Sequence, residues 1–91
     1  METGLTFTSK AVVKKENTAI TMGSGDMEVF ATPAMVALME NAAMKAVAAE
    51  LSEGATTVGA MMNTSHIKPS PLGAEVSATA VLTEVDGRKL T

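Results

Sequence analysis

The sequence predicts an α+β domain in which an antiparallel sheet curls around one long central helix. Three observations lead there. Apolar and polar residues alternate near both ends of the chain, the period of half-buried strands. Between them runs a stretch of helical length, apolar on most of its circumference. The strands after that stretch follow one another through turn signals instead of alternating with helices, which indicates an antiparallel sheet with one segregated helix. With 91 residues the chain has room for one core and buries only about 60% of its unfolded surface, so residues 1–91 are expected to form a single domain. Phe7 and Phe30 are the only aromatic residues beside eight methionines. Core contacts must therefore come from small and flexible side chains, and oligomerisation is an expected further source of burial.

The first strand is expected from Leu5 to Val13, with Leu5, Phe7, Ala11 and Val13 on one parity and Thr6, Thr8, Lys10 and Lys14 on the other. Thr18 to Met22 reads equally as a short helical turn or a strand extension, before a loop with Gly23 and Gly25. Thr32-Pro33 is a helix start: the threonine hydroxyl is expected to accept from the Met35 N–H, and proline at the first helical position loses no needed donor. The helix should run from Pro33 to about Leu51 and end near Gly54. Asn41 and Lys45 project together as its solvent stripe, and Glu40 lies roughly 100–140° away from them. Glu40 is thus expected to point toward the interior. Thr56 to Ile67 suits a strand contacted on both faces, with Met61 and Met62 filling core alongside Met35 and Met39. Pro69, Pro71 and Gly73 make a turn. Ala74 to Val85 alternates again, with Val76, Ala78, Ala80 and Leu82 inward, and Asp86-Gly87 signals a hairpin into a further strand. A sheet curled about an apolar helix in this order is the hot-dog arrangement.

Composition excludes several functions. There is no cysteine and only one histidine, so disulfides, thiolate metal sites and multi-histidine metal sites are not expected. A net charge of −3 without a basic patch leaves no footprint for a nucleic-acid backbone. The N-terminus lacks the apolar run of a signal peptide, and Glu40 and Lys45 break the central stretch before it could span a bilayer. No nucleic-acid or membrane partner is expected, and the chain reads as soluble and cytoplasmic.

Three segments, "GSGDMEVFATPAMVALMENAA", "TTVGAMMNTSH" and "PLGAEVSATAVLTEVDGRKL", together resemble the hot-dog-fold thioesterase family, fluoroacetyl-CoA thioesterase-like proteins among them. The resemblance covers most of the chain from Thr18 onward. It implies hydrolysis of an acyl-CoA thioester without a cofactor, by a homodimer or higher homo-oligomer. It also implies a catalytic set of Thr32, Glu40 and His66, with Gly59 lining the acyl pocket. Members continue through further strands after "VDGRKL", so C-terminal strands are expected to be missing here or supplied by another copy. The fluoroacetyl-specific enzyme carries an aromatic lid ahead of the helix, whereas Gly23 to Glu28 holds no aromatic residue.

Thioester hydrolysis needs a nucleophile or activated water, a base, and donors aimed at the developing oxyanion. Glu40 suits nucleophile or base, His66 can pass a proton to the leaving thiolate, and Thr32 can orient or attack. Each residue also has a plainer use: Thr32 as helix cap, Glu40 as a boundary carboxylate, His66 as an ordinary hydrogen-bonded histidine, Gly59 as a bulge. Their joint occurrence in one family pattern favours the enzyme over a non-catalytic acyl-CoA-binding module or a structural oligomeric module.

Overall fold

A computed structural model describes all 91 residues, Met1–Thr91. Strand β1 spans Thr6–Val12 and pairs antiparallel with β2, Glu75–Val81, in the register Thr6↔Val81 through Val12↔Glu75. That register sets Phe7, Ser9 and Ala11 opposite Ala80, Ala78 and Val76, so the expected inward positions of both strands share one face. On the other face the hydroxyls of Thr8 and Thr79 meet at 2.7 Å. The chain closes with a hairpin of β3, Val85–Asp86, and β4, Lys89–Leu90. Gly87 at φ 60° takes the first central position of its turn, the place a type II′ hairpin gives to glycine.

Helix α2, Thr32–Val47, packs on the β1–β2 pair and continues through a 3-10 turn at Ala48–Glu50. It thus stops close to the expected end. Its N-cap is Ala31, not Thr32: the Met35 N–H bonds to the Ala31 carbonyl at 2.9 Å, and no side chain caps the helix. The helix begins one residue early because Ala31 already has the extended backbone a cap needs (φ −69°, ψ 139°). Thr32 becomes the first helical residue, which frees its hydroxyl.

The orientation of α2 also differs from expectation. Asn41 faces β1 instead of water, while Lys45 stays exposed as expected: Ser9, 7% exposed, donates its hydroxyl to Asn41 Oδ1 at 2.7 Å, and Lys45 Nζ stands 5.5 Å from the Phe7 ring centroid. A polar serine on the inner parity of β1 gives the helix's polar stripe a partner, and the lysine stem covers an aromatic ring while its head stays wet. The side left open carries Pro33, Ala37, Glu40 and Met44, all exposed. Glu40 therefore points outward, contrary to the projection. A helix apolar nearly all round offers no moment strong enough to choose its buried side.

Short bonds around Phe30 fix the helix entry. The Ala31 N–H donates to the Asn17 carbonyl at 2.9 Å, the Ala19 N–H to Val29 at 2.8 Å, and the Phe30 N–H to Ser70 at 2.8 Å. Residues 29–31 thus lie between the chain at 17–19 and the chain at 70–71. Thr18, fully buried, precedes the short helix α1, Ala19–Met22, and also bridges Phe30. Both readings of that segment hold in part.

Thr56–Ile67 departs most from expectation. It joins no ladder within the chain and leaves Val58, Met61 and Ile67 more than four-fifths exposed, at 86%, 88% and 85%. Met61 and Met62 are both exposed and fill no core. The pairing partners a strand needs are not offered by β1–β2, so this segment meets α2 through side chains. The Thr64 hydroxyl, for example, stands 4.0 Å from Met39 Sδ. The buried apolar core is accordingly small: Val13, Ala19, Phe30, Ala31, Ala42, Val47 and Leu82. A radius of gyration of 14.6 Å exceeds the about 12 Å of a compact chain of this length. No helix is long and apolar enough to cross a membrane.

Candidate active site

Because Ala31 caps α2, Thr32 turns its hydroxyl toward the segment that crosses the helix. Its Oγ1 lies 2.8 Å from His66 Nδ1. The two residues are 34 positions apart in sequence, and each is anchored close by. Thr32 follows the Phe30–Ser70 bond by two residues, and His66 precedes the same bond by four. The separation is within the 2.6–3.2 Å reach of a nucleophile and its base. His66 Nε2 makes no hydrogen bond within the chain, which leaves it free to meet a substrate atom. Which ring nitrogen holds the proton follows from the role His66 plays, not from the heavy atoms.

The pair opens into a cleft of about 230 Å³ whose floor is buried Ala19 and Phe30, and whose walls include Ser24, Ile67 and Lys68. A second groove of about 400 Å³ on the β1 flank of α2, lined by Ala11, Glu16, Met22 and Leu38 among others, is larger but contains neither Thr32, Glu40 nor His66. Size does not locate the chemistry here. The smaller cleft holds the only hydroxyl–imidazole pair in the chain.

Glu40 stands apart from that pair. Eight residues carry it about 12 Å further along the helix axis, and no hydrogen bond joins it to Thr32 or His66. Its partner is Gly59: a methyl group built on the Gly59 Cα would sit 2.7 Å from Glu40 Oε2. The carboxylate thus rests directly over the Gly59 backbone, where any added side chain would have to displace it. Helical side chains lean toward the N-terminus, so Glu40 leans back along α2 in the direction of Thr32. The crossing segment runs antiparallel to the helix, with Gly59 near Glu40, Thr64 near Met39 and His66 near Thr32.

All four expected site residues therefore lie where α2 meets the segment 59–66, as two contacts: Thr32 with His66, and Glu40 with Gly59. Lys68 was not among the expected residues although it lines the cleft. Its place two positions after His66 was the available signal.

The sequence model described as "FlK: Fluoroacetyl-CoA-specific thioesterase" matches residues 13–91. The chain belongs to that family. A relative from Streptantibioticus cattleyicolor, the fluoroacetyl-CoA thioesterase, is 42% identical over 64 residues, which are 70% of this chain and 46% of that protein. The chain thus spans about half the length of this curated relative. Among solved structures, a point mutant of the fluoroacetyl-CoA-specific thioesterase FlK in complex with fluoroacetate and CoA is 35% identical. It superposes with a TM-score of 0.90 over 99% of this chain and 77% of that one. Another point mutant of the FlK enzyme, in complex with acetyl-CoA, is 34% identical with a TM-score of 0.88, over 99% of this chain and 72% of that one. Agreement at this level makes the fold of this family member the hot-dog fold.

Proposed function

We propose that this chain is an acyl-CoA thioesterase that hydrolyses its substrate to a free acid and CoA, with Thr32, Glu40 and His66 as catalytic residues and Gly59 beside the acyl group. The observation that carries the reading is the 2.8 Å contact between Thr32 Oγ1 and His66 Nδ1 in an open cleft. In the first half-reaction His66 takes the hydroxyl proton as Thr32 Oγ1 attacks the thioester carbonyl. Collapse of the tetrahedral adduct breaks the C–S bond, and the leaving thiolate receives a proton from the imidazolium. In the second, water adds to the acyl-threonine ester with its proton taken by His66 or Glu40, and the acid departs as Thr32 regains its proton. Glu40, leaning along α2 over Gly59, is suited to hold that water. The free helix N–H groups at the start of α2 favour the developing negative charge.

The reading takes residues 1–91 as one hot-dog domain and places it in the cytoplasm, with acyl-CoA as substrate. A homodimer or higher homo-oligomer is part of it, supported by the unladdered segment Thr56–Ile67 and its exposed Val58, Met61 and Ile67. One observation favours a second reading: in the single chain Glu40 is exposed, as it would be in a module that binds acyl-CoA without turning it over or serves only in assembly. Thiol release from a panel of short and medium acyl-CoAs separates the two. The thioesterase reading expects saturable release, and saturable CoA-ester binding with no release selects the other.

A further inference from the structure

The cleft that holds Thr32 and His66 has a charge pattern that hydrolysis itself does not use. Of its nine lining residues Lys68 is the only lysine or arginine, and none is an aspartate or glutamate. We propose that Lys68 is an anion subsite that holds the phosphate groups of the CoA portion of the substrate. The inference rests on the thioesterase reading of the same cleft and adds a residue to it.

Lys68 is anchored where such a subsite requires. Proline at position 69 pushes Lys68 away from helical backbone angles. One residue later the Ser70 carbonyl accepts from the Phe30 N–H at 2.8 Å, and Pro71 bridges Val29. Lys68 and Thr32 are thus tied to the same three-residue stretch, so the ammonium and the hydroxyl keep a common frame. Consecutive-residue geometry puts the Cα atoms of His66 and Lys68 at most about 7 Å apart. Lys68 is exposed while Ala19 and Phe30 beneath are buried, which places the ammonium at the rim. A thioester seated at Thr32 and His66 must leave by that rim through its long pantetheine arm, with the phosphates outermost.

The other cations are placed elsewhere. Lys10 lies in β1 and Lys14 and Lys15 just after it, Lys45 covers the Phe7 ring, and Arg88 and Lys89 belong to the β3–β4 hairpin; none of these six lines the cleft. The chain as a whole carries −3, and the exposed acids Asp26 and Glu28 lie in the loop just after Ser24. A polyanionic ligand is repelled by that background, so a single unopposed ammonium at the cleft decides where its phosphates settle. A lysine suits the task as a compact charge with three rotatable donors.

Equilibrium binding of CoA and of phosphate-free pantetheine to the wild-type chain and to Lys68→Ala and Lys68→Arg, by calorimetry at low and high salt, tests the subsite. Release of thiol from acetyl-CoA is followed alongside. Lys68→Ala should weaken CoA binding about three- to fivefold, the scale of one exposed ion pair, flatten its salt dependence, and leave pantetheine binding as it was. Lys68→Arg should retain the affinity for CoA. Equal CoA affinity in wild type and Lys68→Ala, or an equal loss for pantetheine, overturns the proposal. Lysine-dependent CoA binding without thiol release would sink the thioesterase reading and leave the subsite standing. Turnover with a KM indifferent to Lys68 would do the reverse.

Discussion

Glu40 Oε2 rests over the Cα of Gly59 so closely that a methyl group there would come within 2.7 Å of it. The conflict would fall on the far end of a flexible, exposed side chain, so it costs little stability. It costs position instead. Gly59→Ala should leave the melting temperature within about 2 °C and lower kcat by about 10- to 100-fold, the scale of a catalytic group displaced by roughly an ångström. Circular dichroism melts and thiol-release kinetics on the same preparation read both numbers, and an unchanged kcat would remove Glu40 placement from the account.

Thr32 as the first helical residue makes a different prediction from Thr32 as a cap. Loss of a capping hydroxyl costs about 1 kcal/mol, whereas the hydroxyl of an exposed Thr32 directed at a half-buried His66 contributes less than that. Thr32→Ala should therefore shift the urea midpoint little while lowering turnover by at least about 100-fold. Thr32→Ser, which keeps the oxygen, should recover most of the turnover.

The Ser9–Asn41 contact is where the helix shows its polar stripe to the sheet. Asn41→Ala strands a buried serine hydroxyl and should destabilise by about 1–3 kcal/mol. Ser9→Ala in the same chain should give back part of that loss. Denaturation of the two single variants and the double variant measures the coupling; strict additivity would mean that Asn41 faces water after all.

Val58, Met61 and Ile67 stand on a segment with no ladder partner in the chain. Exposed apolar side chains along an unpaired backbone favour self-association. Met61→Asp should shift sedimentation velocity toward the lighter species at micromolar concentration, and an unchanged distribution would mean that this segment does not join copies of the chain.

The strand pair, the long helix and the closing hairpin were legible because their signals are local: alternation, a Thr-Pro start, a glycine with positive φ. The facing of α2 was not. A helix of Ala, Met and Val has no decisive apolar side, and the deciding residue, Ser9, sits on another element 32 positions away. The Thr32 hydroxyl was assigned the wrong partner, since a one-residue shift of the cap turns a helix-end bond into a contact with His66. The Glu40–Gly59 contact belongs to tertiary packing that no spacing encodes. The segment Thr56–Ile67 has strand composition, yet composition cannot say whether a ladder partner lies within the same chain.

The central claim is that Thr32 and His66 work as one unit. Steady-state thiol release from acetyl-CoA by Thr32→Ala, His66→Ala and the double variant tests it most directly. Residues acting as a unit are non-additive: each single variant should fall at least about 100-fold below wild type, and the double variant no further. Turnover near the wild-type rate in either single variant, or a double variant whose loss is the product of the two, would contradict it.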